Sequence, residues 1–239
     1  MNEIHVIFTA NAGTILRIGG LCVWTDVLNR ENEGGYGVLS EEAFSRLLTD
    51  PAFRPDAILF THRHKDHYSE ARLTKAIEVF PRARVFLGGN SRSMKSVKLS
   101  PDGTVMLHVF PLPHEGARYA DVENDALLLE GPEGSILIPG DCPVGCSELF
   151  SALEAHEAQK KTGFKIGLAL LNFPWLSLGK GRKAISAMDP GHVLFFHFPA
   201  RTDDVYGYRE QAERMLERFK GERDFRIAGE VFSEEVFLI

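Results

Sequence analysis

The stretch Thr61-His62-Arg63-His64-Lys65-Asp66-His67 constrains this chain more than any other feature, because it sets three imidazoles and a carboxylate within six residues, directly after the apolar run 57–60. Chance would produce H-x-H-x-D-H in a chain of this composition with a frequency on the order of 10⁻³ by template counting. Imidazole and carboxylate are donor types suited to zinc and other transition ions, so a solvated polar loop is a poor account of the segment. His62 and His64 are two apart, and in extended backbone alternate side chains leave on one side and can share an ion. Asp66 and His67 follow where the chain is expected to turn into a helix, and there they can face a second ion. One loop cannot complete two coordination shells, so the fold must bring further ligands to the end of this strand.

Other strands do end in such residues. The run 105–113 leads to His114, 136–140 to Asp141 and 193–196 to His197, so four separated segments each offer a ligand at a strand's C-terminal end. His108 lies inside its apolar run and reads as a sheet-facing side chain. His192 precedes its strand, at the end away from the other ligands. His5 and His156 carry no signal.

Short apolar runs rich in branched and aromatic residues predict strands at 4–8, 14–18, 21–24, 57–60, 85–87, 105–110, 126–129, 136–138, 168–171 and 193–196, with two more near 225–228 and 235–239. Ser40 is placed to cap a helix over 41–48, with acidic residues at the positive end of its dipole. Leu73, Ala76, Ile77 and Phe80 repeat at helical spacing before Pro81, as do Leu149, Phe150 and Leu153 before Gly163. A last amphipathic helix carries Val205, Tyr208, Ala212, Met215, Leu216 and Phe219, with its cap expected at Thr202 or Asp203. Strands come first in pairs and later alternate with helices, which predicts two sheets covered by outer helices rather than one doubly wound sheet. With no internal repeat and no linker-like tract, residues 1–239 read as a single domain, and 44% hydrophobic content is enough for a sizeable core.

At this point the sequence resembles the metallo-β-lactamase-fold hydrolase superfamily. Its signals appear in order: Asp26 in Val23-Trp24-Thr25-Asp26, H-x-H-x-D-H at 62–67, His114 in Pro113-His114-Glu115-Gly116, Asp141 in Pro139-Gly140-Asp141, and His197 in Phe196-His197-Phe198. The resemblance spans residues 4 to about 199. Asn11-Ala12-Gly13, with the loop Gly34-Gly35-Tyr36-Gly37, looks most like the compact bacterial branch that includes ascorbate-6-phosphate lactonase-like proteins. The resemblance implies an α/β fold, an αβ/βα four-layer sandwich of two mixed sheets with outer helices. It places His62, His64 and His114 on one metal, Asp66, His67 and His197 on a second, and Asp141 between them. Asp26 becomes a supporting residue, although an Asp after a strand also serves as a turn or cap. The implied activity is metal-dependent hydrolysis of an ester, lactone or phosphodiester bond in a small molecule. It would use two divalent ions, zinc foremost with manganese or iron as alternatives, and a metal-bridging hydroxide held in line by Asp66.

Rival readings remain at this stage: an iron-dependent redox protein or oxygenase on the same fold, a nucleic-acid phosphodiesterase, and a non-catalytic metal-binding module. The charge balance, 27 basic against 33 acidic residues and net −6, lacks the basic footprint of a nucleic-acid binder. The start has no positive n-region, and the most apolar stretch, 166–178, is interrupted by Gly167, Asn172 and Pro174 and is too short to span a membrane. Three cysteines, Cys22, Cys142 and Cys146, cannot all pair within one chain, which fits a reducing cytoplasm.

Overall fold

A computed structural model describes residues 2–31, 36–160, 163–199, 201–219, 221 and 223–239; Gly34 and Gly35 of the glycine-rich loop lie outside them. The elements run β1 (Glu3–Ala10), β2 (Gly13–Ile18), β3 (Leu21–Thr25), α1 (Glu41–Thr49), β4 (Ala57–Phe60), α2 (Glu70–Val79), β5 (Arg84–Leu87), β6 (Lys95–Lys98), β7 (Met106–Pro113), β8 (Glu123–Gly131) and β9 (Gly134–Ile138). There follow α3 (Ser147–Glu157), β10 (Leu168–Asn172), α4 (Phe173–Ser177), α5 (Gly179–Met188), β11 (His192–Phe196), α6 (Tyr208–Arg218), β12 (Asp224–Ile227) and β13 (Glu234–Leu238).

The strands form two mixed sheets, ordered β13-β1-β2-β3-β4-β5 and β12-β11-β10-β9-β8-β7-β6. Successive strand side chains point to opposite faces, so a strand buried on both faces must be apolar at every position. In β4, Ala57 and Leu59 enter the core between the sheets while Ile58 and Phe60 pack under α1 and α2. In β10, Leu168 and Leu170 join the same central core while Ala169 and Leu171 meet the helices of the second sheet. The result is the expected four-layer arrangement, helices outside two facing sheets. Among the described residues no helix is long and apolar enough to cross a membrane.

Several local expectations need correction. The chain does not turn directly into a helix at Asp66 and His67; a turn intervenes, and α2 starts at Glu70 with the Ser69 hydroxyl as its cap. The last helix is not capped by Thr202 or Asp203. It begins at Tyr208, where the Asp204 carboxylate accepts from the backbone N–H groups of Tyr208 and Arg209 (2.8 and 2.9 Å), and Val205, assigned to its apolar face, is 81% exposed. Strand β6 escaped the pattern because all four residues are exposed and only Val97 is apolar. Helix α5 was hidden by Gly179 and Gly181, and Gly181 is required because a Cβ there would lie 2.3 Å from the Trp175 carbonyl oxygen.

The two final strands part company. β12 runs parallel to β11 in the second sheet, whereas β13 pairs antiparallel with β1 in the first. Phe237 of β13 is fully buried in the central core that both sheets share. Phe237→Ala should therefore destabilise the protein by about 3–5 kcal/mol, read as a lowered urea midpoint with an unchanged slope.

Candidate metal centre

The candidate residues converge at one edge of the sandwich, where β3, β4, β7, β9 and β11 all end. Thr61, the first residue beyond β4, is completely buried and fixes the strand end. Its N–H and hydroxyl donate to the two carboxylate oxygens of Asp26 (2.9 and 2.7 Å), and its carbonyl accepts from Asp125 N–H of the second sheet (2.9 Å). Because that hydroxyl proton is committed to Asp26, Thr61 Oγ1 accepts from His62 Nδ1–H at 3.0 Å. His62 Nε2 is thereby left without a proton of its own and aimed inward, 3.2 Å from His64 Nδ1.

The same device recurs at His114, and at His67 a carboxylate stands behind the ring without a hydrogen bond of full geometry. His114 Nδ1 donates to the Glu115 carbonyl at 2.8 Å, leaving Nε2 to face Asp141 Oδ2 at 3.7 Å. His67 Nδ1 lies 3.2 Å from Asp26 Oδ2, and its Nε2 faces Asp66 and Asp141 at 3.7 and 3.5 Å. A partner on one ring nitrogen sets the tautomer and presents the other nitrogen as a ligand.

Three donor groups result: His62, His64 and His114; His62, His67 and Asp141; and Asp66, His67 and His197. All seven side chains expected to bind metal are thus brought together, with Asp26 directly behind His67. Asp141 lies between the halves, with Oδ2 3.9 Å from His62 Nε2 and Oδ1 3.7 Å from His197 Nε2. The donors fit divalent ions. His114 Nε2 is buried without a hydrogen-bond partner, and the Nε2 atoms of His67 and His197 sit 3.1 Å apart, a contact that a proton or cation between them must relieve. His192, in contrast, starts β11 and contacts Asp224 and the Leu238 carbonyl (2.8 and 2.9 Å).

The electrostatics follow from burial and mutual charge. Burial, followed by the neighbouring His67, pushes the His62 pKa well below the usual histidine range. At His67 burial acts the same way, but Asp141 and Asp26 outweigh it and raise the pKa well above that range. Burial would raise the Asp141 and Asp66 carboxyls, yet the adjacent imidazoles of His197 and His67 hold both low. The Tyr36 phenol is pushed up to about 12, by burial first and then by Asp141 and Asp66.

Asn11 belongs to the site in a way the sequence did not disclose. Its Nδ2 donates to both the backbone carbonyl and Oδ2 of Asp66 (2.9 and 3.1 Å), and its own carbonyl accepts from His197 N–H at 3.1 Å. Asn11, Asp26 and His197 all adopt positive φ, 52°, 52° and 58°, conformations that few residues other than glycine, asparagine and aspartate occupy readily. Asp141 follows Gly140 at φ 62°, where a Cβ would meet Asn124 Oδ1 at 2.3 Å; that same oxygen accepts from Asp141 N–H at 3.1 Å. The only sequence signal for these supports was the Asn-Ala-Gly turn after β1 and the glycine before Asp141.

Above the donors opens a cavity of about 220 Å³ whose walls include Tyr36, Arg118, Tyr119, Asn172 and Pro174. Tyr36 meets the His197 ring edge-on at 4.5 Å, and Tyr119 packs 5.0 Å from both His64 and His114. Glu115 is also in the wall. Trp175 is core, Arg182 donates to the carbonyls of Leu176 and Ser177, and Arg201 pairs with Glu230. Cys142 and Cys146 are buried free thiols, as is Cys22.

No protein-family model matches the chain, and no curated protein matches it by sequence. Solved structures match along its whole length. Igni18, a metallo hydrolase from the hyperthermophilic archaeon Ignicoccus hospitalis KIN4/I, is 14% identical with a TM-score of 0.63 over 99% of each chain. The metallo-beta-lactamase fold protein YhfI from Bacillus subtilis is 12% identical with a TM-score of 0.58, over 99% of this chain and 100% of that one. CmlA, a diiron beta-hydroxylase from Streptomyces venezuelae, is 12% identical with a TM-score of 0.57; the match covers all of this chain but 55% of CmlA. Two facing mixed sheets with a histidine- and aspartate-lined edge define the class, and the chain has the metallo-β-lactamase fold.

Asn11→Ala should leave the fold intact and weaken metal retention about 10- to 100-fold, the range typical for losing a partner that orients a ligand. Competition against a chelator of known affinity measures it.

Proposed function

We propose that the protein is a dinuclear metal-dependent hydrolase acting on an ester, lactone or phosphodiester bond of a small molecule, with residues 1–239 as one catalytic domain. The observation that carries this reading is the meeting of two donor triads on Asp141 at the floor of an open cavity. His62, His64 and His114 would hold one ion and Asp66, His67 and His197 the other, with Asp141 placed between the two groups. Zinc suits the donors best, with manganese or iron as alternatives. When bound, the ions supply Lewis acidity that brings water deprotonation near pH ~7 and stabilises developing negative charge.

The chain's own residues do the positioning. Asp66, clamped by Asn11, orients the attacking water, so no serine or cysteine nucleophile is required. Asp26 and Thr61 hold the rings of His67 and His62 in the tautomers that face the cavity. Tyr36 and Tyr119 form aromatic walls that exclude bulk water, and Arg118 adds a cation that attracts an anionic substrate. The match to the diiron CmlA supports a second reading, oxidative chemistry with iron in the same donors. A visible absorption band in protein carrying native iron distinguishes it from hydrolysis.

Active protein should contain close to two ions per chain by elemental analysis, and chelation should abolish turnover on a panel of model phosphodiesters, lactones and thioesters. One ion or none in fully active protein overturns the dinuclear reading. Asp66→Ala and Asp141→Ala should lower kcat far more than Asp26→Ala, whose loss should stay within about 10- to 100-fold because it acts through ring orientation.

His197→Ala should empty the second position while the first keeps its metal, and His192→Ala should leave both filled. Metal titration of the two variants checks this, and the reverse pattern refutes the assignment of His197.

A further inference from the structure

A second convergence of imidazole and carboxylate lies on the outer face of the second sheet. His108 of β7 and Glu130 of β8 point to the same side as Phe110 and Leu128, under the C-terminal end of α3, which contributes His156. His108 lies within β7 and His114 just beyond its end, six residues further on, so the two stand roughly 20 Å apart along the chain at about 3.4 Å per residue.

We propose that His108, Glu130 and His156 form a separate binding site for a single divalent transition ion such as zinc. Their donor atoms all lie within 4.8 Å of one another. His108 Nε2 is 2.7 Å from Glu130 Oε2 and His156 Nε2 is 3.3 Å from Glu130 Oε1, yet both nitrogens are buried and neither makes a hydrogen bond of acceptable geometry. The side chains of His108 and His156 are only 9% and 5% exposed. Two imidazoles and one carboxylate match a donor set that zinc accepts, with one position left for water.

The surroundings fit a ligand site. Ser96 Oγ lies 2.8 Å from His108 Nδ1, where it can accept from an Nδ1–H and so free Nε2 for an ion. Phe110 and Phe164 wall the His156 ring with centroids at 6.0 and 5.0 Å, which keeps solvent from competing. Lys160 Nζ sits 2.5 Å from Glu130 Oε2 and is the cation that a metal would have to displace or share. An ion here ties the end of α3 to β7 and β8, and it needs no residue of the hydrolytic centre.

The test is zinc binding to the full chain, read by elemental analysis and by anomalous scattering at the zinc edge in zinc-soaked crystals. The wild type should bind one equivalent more than His156→Gln or Glu130→Gln, with a distinct anomalous peak among the three side chains. Ser96→Ala keeps all three donors and should weaken zinc at this cluster by about 10- to 100-fold. Lys160→Gln, which removes the competing ammonium, should bind zinc there at least as tightly as the wild type. Equal stoichiometry in wild type, His156→Gln and Glu130→Gln, with no peak at the cluster, overturns the proposal, and Lys160 is then its permanent counter-ion. Peaks at the two sites are resolved separately, so failure here is distinguishable from failure of the hydrolase reading.

Discussion

Everything at the functional edge depends on the single residue Thr61. Its N–H and hydroxyl are bound by Asp26 at the end of β3, and its carbonyl by Asp125 of the opposite sheet, so it belongs to both halves of the sandwich at once. Each of these polar groups is fully buried, and leaving one unpaired would cost about 1–3 kcal/mol. The register of β4 is therefore fixed from both sides immediately before the histidine segment. A one-residue slip would turn His62 and His64 to the other face and break three hydrogen bonds together.

Fixing a backbone does not by itself aim an imidazole nitrogen into the cavity; the groups behind the rings do that. At His62 and His114 an acceptor takes the Nδ1 proton, and at His67 the Asp26 carboxylate stands in the corresponding place. Asp26 thus has two tasks, holding Thr61 and facing His67, and its positive φ lets one short side chain reach both. The centre is built from supports first and donors second.

Much of this was legible beforehand, and the reasons differ by element. Strands buried on both faces, such as β4 and β10, are continuous apolar runs, and the donors at their ends are chemically conspicuous. Boundaries governed by a single side chain were not legible, because α6 starts after Gly207 and it is Asp204, not Asp203, whose carboxylate accepts from the helix's first N–H groups. Strand β6 pairs through its backbone and carries no apolar alternation to betray it. Asn11 was visible only as part of a turn, because its role rests on reaching Asp66, 55 residues away in sequence. The aromatic and cationic walls of the cavity come from loops whose placement no periodicity encodes.

The pairing of β1 with β13 has a consequence for how the molecule comes into being. His5 and Glu234, whose side chains meet diagonally across that pair, are 229 residues apart. Closing so long a loop costs on the order of 5 kcal/mol of chain entropy before any contact rewards it. During synthesis β1 is made long before β13, and the edge that β13 will cover stays open to other strands until then. The most deeply buried side chain of that last strand, Phe237, is also the one that fills the core between the sheets. Sealing the sheet and completing the core are thus one late event, and until it happens the nascent protein is most exposed to aggregation.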